Sequence, residues 1–338
     1  MPARPEAVSE DVKGRLWAIT CYFNPIHYRR RMANYRAFRQ HLTVPLVTVE
    51  LSFDGRFDLE DGDADVLIRI GRGTILWQKE RLLNIALASI PRWCDYVAWL
   101  DCDIIFDGDD WTVRAAEALE RCDLVHLFHE RYDLPSHVRA DDVFSWTGLP
   151  TAYSVMWLRS MGRAAAEDLF LANAPLERQS TAGLAWASPR AVLDRHGLYD
   201  ACVLGSGDRV ILCSALGEFA HGQQTILMNA RQAEHYIKWA RPYHDTVGGR
   251  AGYIEGRVFH LWHGDRQDRR YGTRHMDLST FDFDPFTDIV QDDRGSWRWN
   301  SRKPALHAYI ARYFAERCED GRRPEAVTAA AGDGEGRR

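Results

Sequence analysis

A net charge of -5 over 338 residues leaves no overall basic field, so bulk charge does not hold a nucleic acid. Hydrophobic residues at 46% and charged residues at 27% are an ordinary globular composition, enough for one large domain or two small ones. No run approaches the ~18 apolar residues of a membrane span, and the 7 cysteines show no C-x-x-C spacing, so a soluble, cytoplasmic protein with free thiols and no structural zinc is expected.

Residues 1–14 are polar, lack an apolar signal core and are expected to be disordered. Leu16 to Phe23 reads as the first buried strand, ended by Asn24-Pro25. A helix follows, with Tyr28, Met32, Tyr35, Phe38 and Leu42 at helical spacing. Its other face carries Arg29, Arg30, Arg31, Arg36 and Arg39 and reads as solvated. Pro45 to Phe53 and Asp65 to Ile70 are the second and third strands, with polar turns between them. Gly71-Arg72-Gly73 then opens a helix whose apolar face runs through Leu83, Ala86, Leu87 and Ile90 to Pro91. Two glycines ahead of a helix N-terminus let a phosphate approach the backbone, although a bare G-x-G is not a dinucleotide fingerprint.

Next comes Asp95 to Leu100, whose run Val97-Ala98-Trp99-Leu100 suits a strand covered on both faces. Strand, helix, strand, helix and strand in this order predict a parallel α/β sheet, with ligands beyond the carboxyl ends of its strands. Asp109 to Arg121 reads as a helix, Asp123 to Phe128 as a strand, and 129–150 as an aperiodic loop. Ala152 to Leu158 reads as a strand, Arg159 to Leu171 as a helix, and Asn173 to Gln179 as a loop. Thr181 to Ser188 is a small-residue strand with one tryptophan, Trp186. Gly205-Ser206-Gly207-Asp208 opens the next helix, and another covers about Gln224 to Trp239. Gly256 to Trp262 is a late strand ending in His260-Leu261-Trp262-His263-Gly264, followed by a basic segment from Asp265 to His275. Residues 15–280 are thus expected as the catalytic α/β domain, 281–319 as a C-terminal helical extension, and 320–338 as a disordered tail.

Three groups of residues carry chemistry. Asp101-Cys102-Asp103 interrupts an apolar run that resumes with Ile104, Ile105 and Phe106. On an extended chain both acids point one way, and burying them calls for a positive partner. A divalent metal with a phosphate is the simplest one. A lone Asp at a strand end is usually a turn residue; two sharing a face inside an apolar run are not so easily dismissed. His260 and His263 are candidate metal ligands, since imidazole with carboxylate suits Mn²⁺; a structural role is the alternative for each. Arg266, Arg269, Arg270 and Arg274 form either a diphosphate clamp or a solvated helix face. Asp208 is either a general base or a helix N-cap.

The ordered set of Lys79-Glu80-Arg81-Leu82-Leu83-Asn84, Asp101-Cys102-Asp103, the Trp186 strand, Gly-Ser-Gly-Asp208 and His-Leu-Trp-His263 resembles the GT-A glycosyltransferases. It is most similar to galactosyltransferase-like and family-2-like members, and to viral and bacterial sequences with His-Leu-Trp-His-Gly and Phe-Asp-Phe-Asp-Pro blocks. The resemblance covers about 15–320 and implies a Rossmann-like, mixed but mostly parallel sheet flanked by helices. It implies a hexosyltransferase that moves a sugar from a nucleotide-sugar, a UDP-sugar in the first instance, to an acceptor hydroxyl. Asp103, His263 and His260 would hold Mn²⁺ or Mg²⁺. Phe23, Asn24, Lys79, Arg81, Asp101, Trp186, Arg266 and Arg270 would surround the donor, with Asp101 on ribose or metal. Asp208 would be the base of an inverting displacement. The family's acids before and after that Asp are Gly207 and Arg209 here, and Leu204 replaces its acceptor-platform tryptophan. The alternatives are a nucleotidyltransferase and an inactive sugar- or nucleotide-binding module. The acceptor, whether glycan, lipid-linked sugar, protein, small molecule or modified nucleic acid, is left open, as is retention of configuration.

Overall fold

The computed structural model describes residues 15–162 and 179–322. The disorder expected at 1–14, most of the helix expected over Arg159 to Leu171, most of the loop before Gln179 and the tail from 323 onward lie outside the described residues.

The chain begins with β1 (Leu16–Phe23), α1 (Arg29–His41), β2 (Leu46–Leu51), β3 (Val66–Ile70), α2 (Lys79–Leu87) and β4 (Tyr96–Leu100). Next are β5 (Ile104–Phe106), α3 (Trp111–Leu119), β6 (Leu124–His126), β7 (Glu130–Asp133), β8 (Ala152–Ser154), α4 (Val155–Ser160), β9 (Ser180–Thr181) and β10 (Ala185–Pro189). Then follow α5 (Arg190–His196), α6 (Gly207–Ala215), α7 (Phe219–Thr225), α8 (Ala230–Val247), β11 (Ala251–Tyr253), β12 (Arg257–His260) and α9 (Arg274–Ser279). A hairpin of β13 (Ile289–Gln291) and β14 (Trp297–Trp299) precedes α10 (Pro304–Glu316).

The main sheet has seven strands in the order β11-β6-β10-β4-β1-β2-β3. β4, β1, β2 and β3 run parallel, while β10 runs antiparallel between β4 and β6. The fold is therefore α/β, with a mixed, mostly parallel sheet. Its central strands are apolar on both faces because each face carries a core. One core packs the sheet against α2, α6 and α8 through Leu83, Val210 and Tyr236. The other packs it against α1 and α3 through Phe38 and Trp111. The chain lays β2 and β3 on one side of β1, then returns to place β4 on the other. The strand order reverses between β1 and β4, which opens a crevice beyond their carboxyl ends. A second sheet, β5-β12-β7-β8-β9, stands at that end.

Four local expectations change. Residues 129–150 contribute β7 and a short 3-10 turn at Ala140–Ser145; Glu-Arg-Tyr-Asp has no apolar alternation, and its pairing with β12 and β8 makes it a strand. The strand expected over Ala152 to Leu158 stops at Ser154, whose Oγ accepts the Met156 and Trp157 N–H groups and starts α4. The helix expected over Gln224 to Trp239 is two helices, because Asn229 caps α8 by accepting the Gln232 N–H at 2.9 Å. The helix expected after Gly73 starts at Lys79, so the two glycines are not at its N-terminus. A Cβ on Gly73 would lie 2.7 Å from Leu51, so close packing explains that glycine. Among the described residues no helix is long and apolar enough to cross a membrane, and all 7 cysteines are free.

His126 ties β6 to β10. It stacks on Trp186 at 4.0 Å with 5° between the ring planes. Its Nε2–H donates to the Gly183 carbonyl at 2.9 Å, so Nδ1 accepts from the Ser154 hydroxyl at 2.8 Å. Burial pushes the imidazole down to about 3. The folded protein keeps this ring neutral at pH values where the unfolded chain protonates it. Stability is therefore complete above the ordinary imidazole range of ~6.5. It falls as the pH drops toward about 3, by about 1.4 kcal/mol per pH unit. Urea titrations at neutral and mildly acidic pH are expected to show this loss, and to show it reduced in His126→Gln. An equal loss in both proteins would refute the assignment.

Candidate active site

β4 ends at Leu100 in the first sheet and β5 begins at Ile104 in the second, so Asp101-Cys102-Asp103 is the step between sheets. The segment is a turn, not the extended chain expected. Both acids still line one cavity, but they meet different partners. The Asp101 N–H donates to the Leu184 carbonyl at 2.7 Å, which pins it to the approach to β10. The Asp103 carbonyl accepts from the Leu261 N–H at 2.8 Å, which pins it to the end of β12.

β12 lies between β5 and β7, and this register places His260 opposite both Ile104 and Asp133. His260 Nδ1 is 2.7 Å from Asp133 Oδ1, and its Nε2 is 3.8 Å from Asp103 Oδ1. The strand then ends and the chain turns, so His263 comes round to the same side. Its Nδ1–H donates to the Leu261 carbonyl at 2.9 Å, and its Nε2 is 3.3 Å from Asp103 Oδ2. Burial, reinforced by Arg269, holds His263 well below the ordinary imidazole range. It is therefore neutral, with the Nε2 lone pair facing the carboxylate. Asp103 Oδ1 is buried without a hydrogen-bond partner. The ligand atoms of Asp103, His260 and His263 lie within 4.8 Å of one another. An orphaned carboxylate oxygen beside two fixed imidazoles fits a divalent cation. Asp133 and the Leu261 carbonyl are the outer groups that orient the rings. Burial raises Asp133, but Arg131 and His260 outweigh it and hold that carboxyl well below its usual range.

The second half of the site is built on Lys79, the first residue of α2. Its Nζ lies 2.6 Å from Asp101 Oδ1 and 2.6 Å from Asp208 Oδ2. Burial opposes the ammonium charge, yet the two carboxylates prevail and hold its proton firmly. Asp208 is not the helix cap: Ser206 occupies that position, without a side-chain capping bond. Gly205 and Ser206 adopt φ of 85° and 77°, a left-handed turn that carries the chain into α6 at the cavity wall. Burial raises the Asp208 carboxyl above its ordinary range, and Lys79 pulls it back. A Cβ on Gly183 would lie 3.3 Å from Asp208 Oδ2, so the small-residue stretch keeps this carboxylate open. Glu80, which sequence reasoning did not single out, lines the same cavity. Burial pushes it up to about 8 against the pull of Lys79. A side chain on Gly207 would overlap the Glu80 carboxyl. An acid from α2 thus fills the volume that a side chain at 207 would take.

The shared cavity measures about 410 Å³, within the range of small-molecule sites. Phe23, Lys79, Asp101, Asp103, Asp208, His260, His263 and Arg266 all line it. Asn24, Arg81, Trp186 and Arg270 are engaged elsewhere. Asn24 closes the turn before α1, accepting the Tyr28 N–H at 2.9 Å. Arg81 is two residues beyond Lys79, about 200° round the helix, and pairs with Asp200 at 2.9 Å. Trp186 donates to the Ala182 carbonyl at 2.8 Å; the indole that reaches the site belongs to its cross-strand neighbour Trp99, 3.4 Å from Asp208 Oδ1. Arg270 takes a left-handed conformation and pairs with Asp277 and Glu316.

Within the basic segment Arg269 and Arg274 are buried and line the cavity, whereas Arg266 lines it from an exposed position. Arg31, expected on the solvated face of α1, lines it too and pairs with Glu319 at 3.1 Å. The chain stays built into the fold through Arg322, past the expected start of disorder at 320. Asp320 accepts the Arg29 and Arg30 N–H groups at 3.1 and 2.7 Å, and Arg322 pairs with Asp268. Gly264, at φ 88°, lies against this segment; a Cβ there would sit 2.8 Å from the Arg317 carbonyl.

No family model and no curated protein matches the chain. Solved structures align over most of it at low identity. S. aureus TarS 1-349 in complex with UDP-GlcNAc is 8% identical with a TM-score of 0.39, over 91% of this chain and 74% of that one. A Drosophila β-1,4-galactosyltransferase 7 complex with manganese, UDP-Gal and xylobiose is 8% identical with a TM-score of 0.39, over 88% and 98%. The 4-diphosphocytidyl-2C-methyl-D-erythritol synthase of Anaerococcus prevotii is 8% identical with a TM-score of 0.31, over 71% and 88%. At such scores the chemistry of this cavity has to be read from its own residues.

Proposed function

We propose that the chain is a GT-A-type glycosyltransferase that moves a sugar from a nucleotide-diphosphate donor to an acceptor hydroxyl. The convergence of Asp103, His260 and His263 beside the Lys79–Asp208 pair, in the crevice beyond β1 and β4, carries this reading. Two imidazoles and one carboxylate suit Mn²⁺ better than Mg²⁺. A cation bound there would supply positive charge to a leaving diphosphate. Arg269 and Arg266 line the cavity near the triad and would add fixed positive charge on the same side. Lys79 holds Asp101 and Asp208 in place without yielding its proton. Asp208, with its raised proton affinity and open approach past Gly183, accepts the proton of the attacking hydroxyl. Displacement from the face opposite the diphosphate inverts the anomeric centre.

The test is nucleotide release from UDP-, GDP- and dTDP-sugars with Mn²⁺, Mg²⁺ or chelator. Release from one UDP-sugar that requires Mn²⁺ is the expected result. Pyrophosphate release from a nucleoside triphosphate would instead indicate nucleotidyl transfer. Tight nucleotide-sugar binding without turnover under any acceptor would indicate a binding module.

A further inference from the structure

Phe23, Trp77, Trp262 and Tyr271 bring aromatic rings to the cavity wall, and the protein itself packs three of them. Phe23 is buried edge-on against Trp77 and Phe314. Trp77 stacks on Phe314 at 6.1 Å, with Arg317 over its ring. Trp262 lies under the Arg30 guanidinium, 5.2 Å from the ring centroid. Tyr271 lines the cavity and is still 47% exposed. A single exposed tyrosine is ordinary on a protein surface, but this one is held in place. Arg270, just before it, pairs with Asp277 and Glu316. Arg269 donates through Nη1 to Tyr271 Oη at 3.4 Å and through Nη2 to the His263 carbonyl at 3.1 Å. The Arg274 guanidinium lies over the Tyr271 ring, 4.8 Å from its centroid, and donates to Ser206 Oγ at 2.8 Å. The ring is thus tied at one end to the His263 turn and at the other to the turn that carries Asp208.

Along a nucleotide-sugar the order is base, ribose, diphosphate and sugar. With the diphosphate at the Asp103–His260–His263 side and the acceptor hydroxyl at Asp208, the sugar being moved lies between them. We propose that Tyr271 stacks against the hexose ring of the donor and sets which sugars the cavity accepts. The assignment rests on the transferase reading. A pyranose face rich in C–H groups is apolar and slightly positive, and a phenol ring presents a negative π-face of matching size. Arg274 on the ring and Arg269 at the hydroxyl fix its orientation before a donor arrives, so little side-chain freedom is lost on binding.

The experiment is calorimetric titration of the full-length protein in Mn²⁺, without acceptor. Each UDP-, GDP- and dTDP-sugar is compared with its own nucleoside diphosphate. Tyr271→Ala is expected to weaken a sugar donor that wild type binds by roughly 10-fold, the loss of one aromatic contact, and to leave the matching diphosphate unchanged. Tyr271→Phe keeps the π-face and is expected to bind both as wild type does. If Tyr271→Ala does not fold, Tyr271→Leu, which fills the volume without a π-face, reads the same difference. Equal weakening of donor and diphosphate would put the ring on the nucleotide and overturn the proposal. Unchanged donor binding by Tyr271→Ala would overturn it as well, while donor binding and turnover by wild type leave the transferase reading standing. A wild-type protein that binds none of the sugar donors would refute the transferase reading and this proposal with it.

Discussion

Asp103→Asn is expected to reduce Mn²⁺ affinity by more than the roughly 10–100-fold that removal of an orienting group such as Asp133 produces, and to bring nucleotide-sugar turnover to background. The substitution keeps the side-chain volume and removes the charge that draws a cation between His260 and His263. A structural role for Asp103 predicts something different. The Oδ1 atom is buried without a partner, so the metal-free fold gains little from the carboxylate. The variant is therefore expected to melt, in chelator, no lower than wild type, while losing the rise in melting temperature that Mn²⁺ gives wild type. Unchanged Mn²⁺ affinity together with a large drop in chelator stability would show that Asp103 is structural.

Asp208→Asn is expected to lower kcat by roughly 10²- to 10⁴-fold, the range for loss of a general base, with donor and Mn²⁺ binding little changed. Lys79 keeps Asp101 at 2.6 Å in the variant, so its buried charge remains compensated. The pH dependence has a definite sign. Burial raises the Asp208 carboxyl, and a base acts only when unprotonated. Activity therefore rises with pH through a limb above the ordinary carboxylate value of ~4, and is lost as the pH falls through it. The limb is expected to vanish in the residual activity of Asp208→Asn. Full turnover by the variant would remove Asp208 from the chemistry and move attention to Glu80.

The parts of the molecule legible in its sequence are those where one residue's burial decides the outcome. β1, β2 and β4 are covered on both faces, so their apolar runs announce them. The interruption of such a run by Asp101 and Asp103 marks the step between sheets. What stays hidden depends on pairing and rotation. β7 is polar and becomes a strand through its neighbours β12 and β8. Lys79 and Arg81 are both basic and close in sequence, but helical rotation sends one into the cavity and the other to Asp200. Arg270 and Arg274 belong to one basic segment, and a left-handed residue separates their directions. The two tryptophans of β4 and β10 are equivalent in composition, yet Trp99 alone reaches Asp208. Gly207 reads as an empty position until Glu80 is seen to occupy its side-chain volume.

The Arg31–Glu319 pair joins residues 288 positions apart in the chain. Arg31 and Arg317 converge on one buried carboxylate that lies just beyond α10. During synthesis α1 emerges long before that carboxylate exists, so a nascent chain carries Arg31 without its counter-charge. Long-range contacts of this kind form late in folding, after loop closure has been overcome. The cavity wall that Arg31 and Arg317 share is thus complete only once Glu319 has joined them. A chain shortened before Arg317 is expected to leave Arg31 on that wall without its carboxylate.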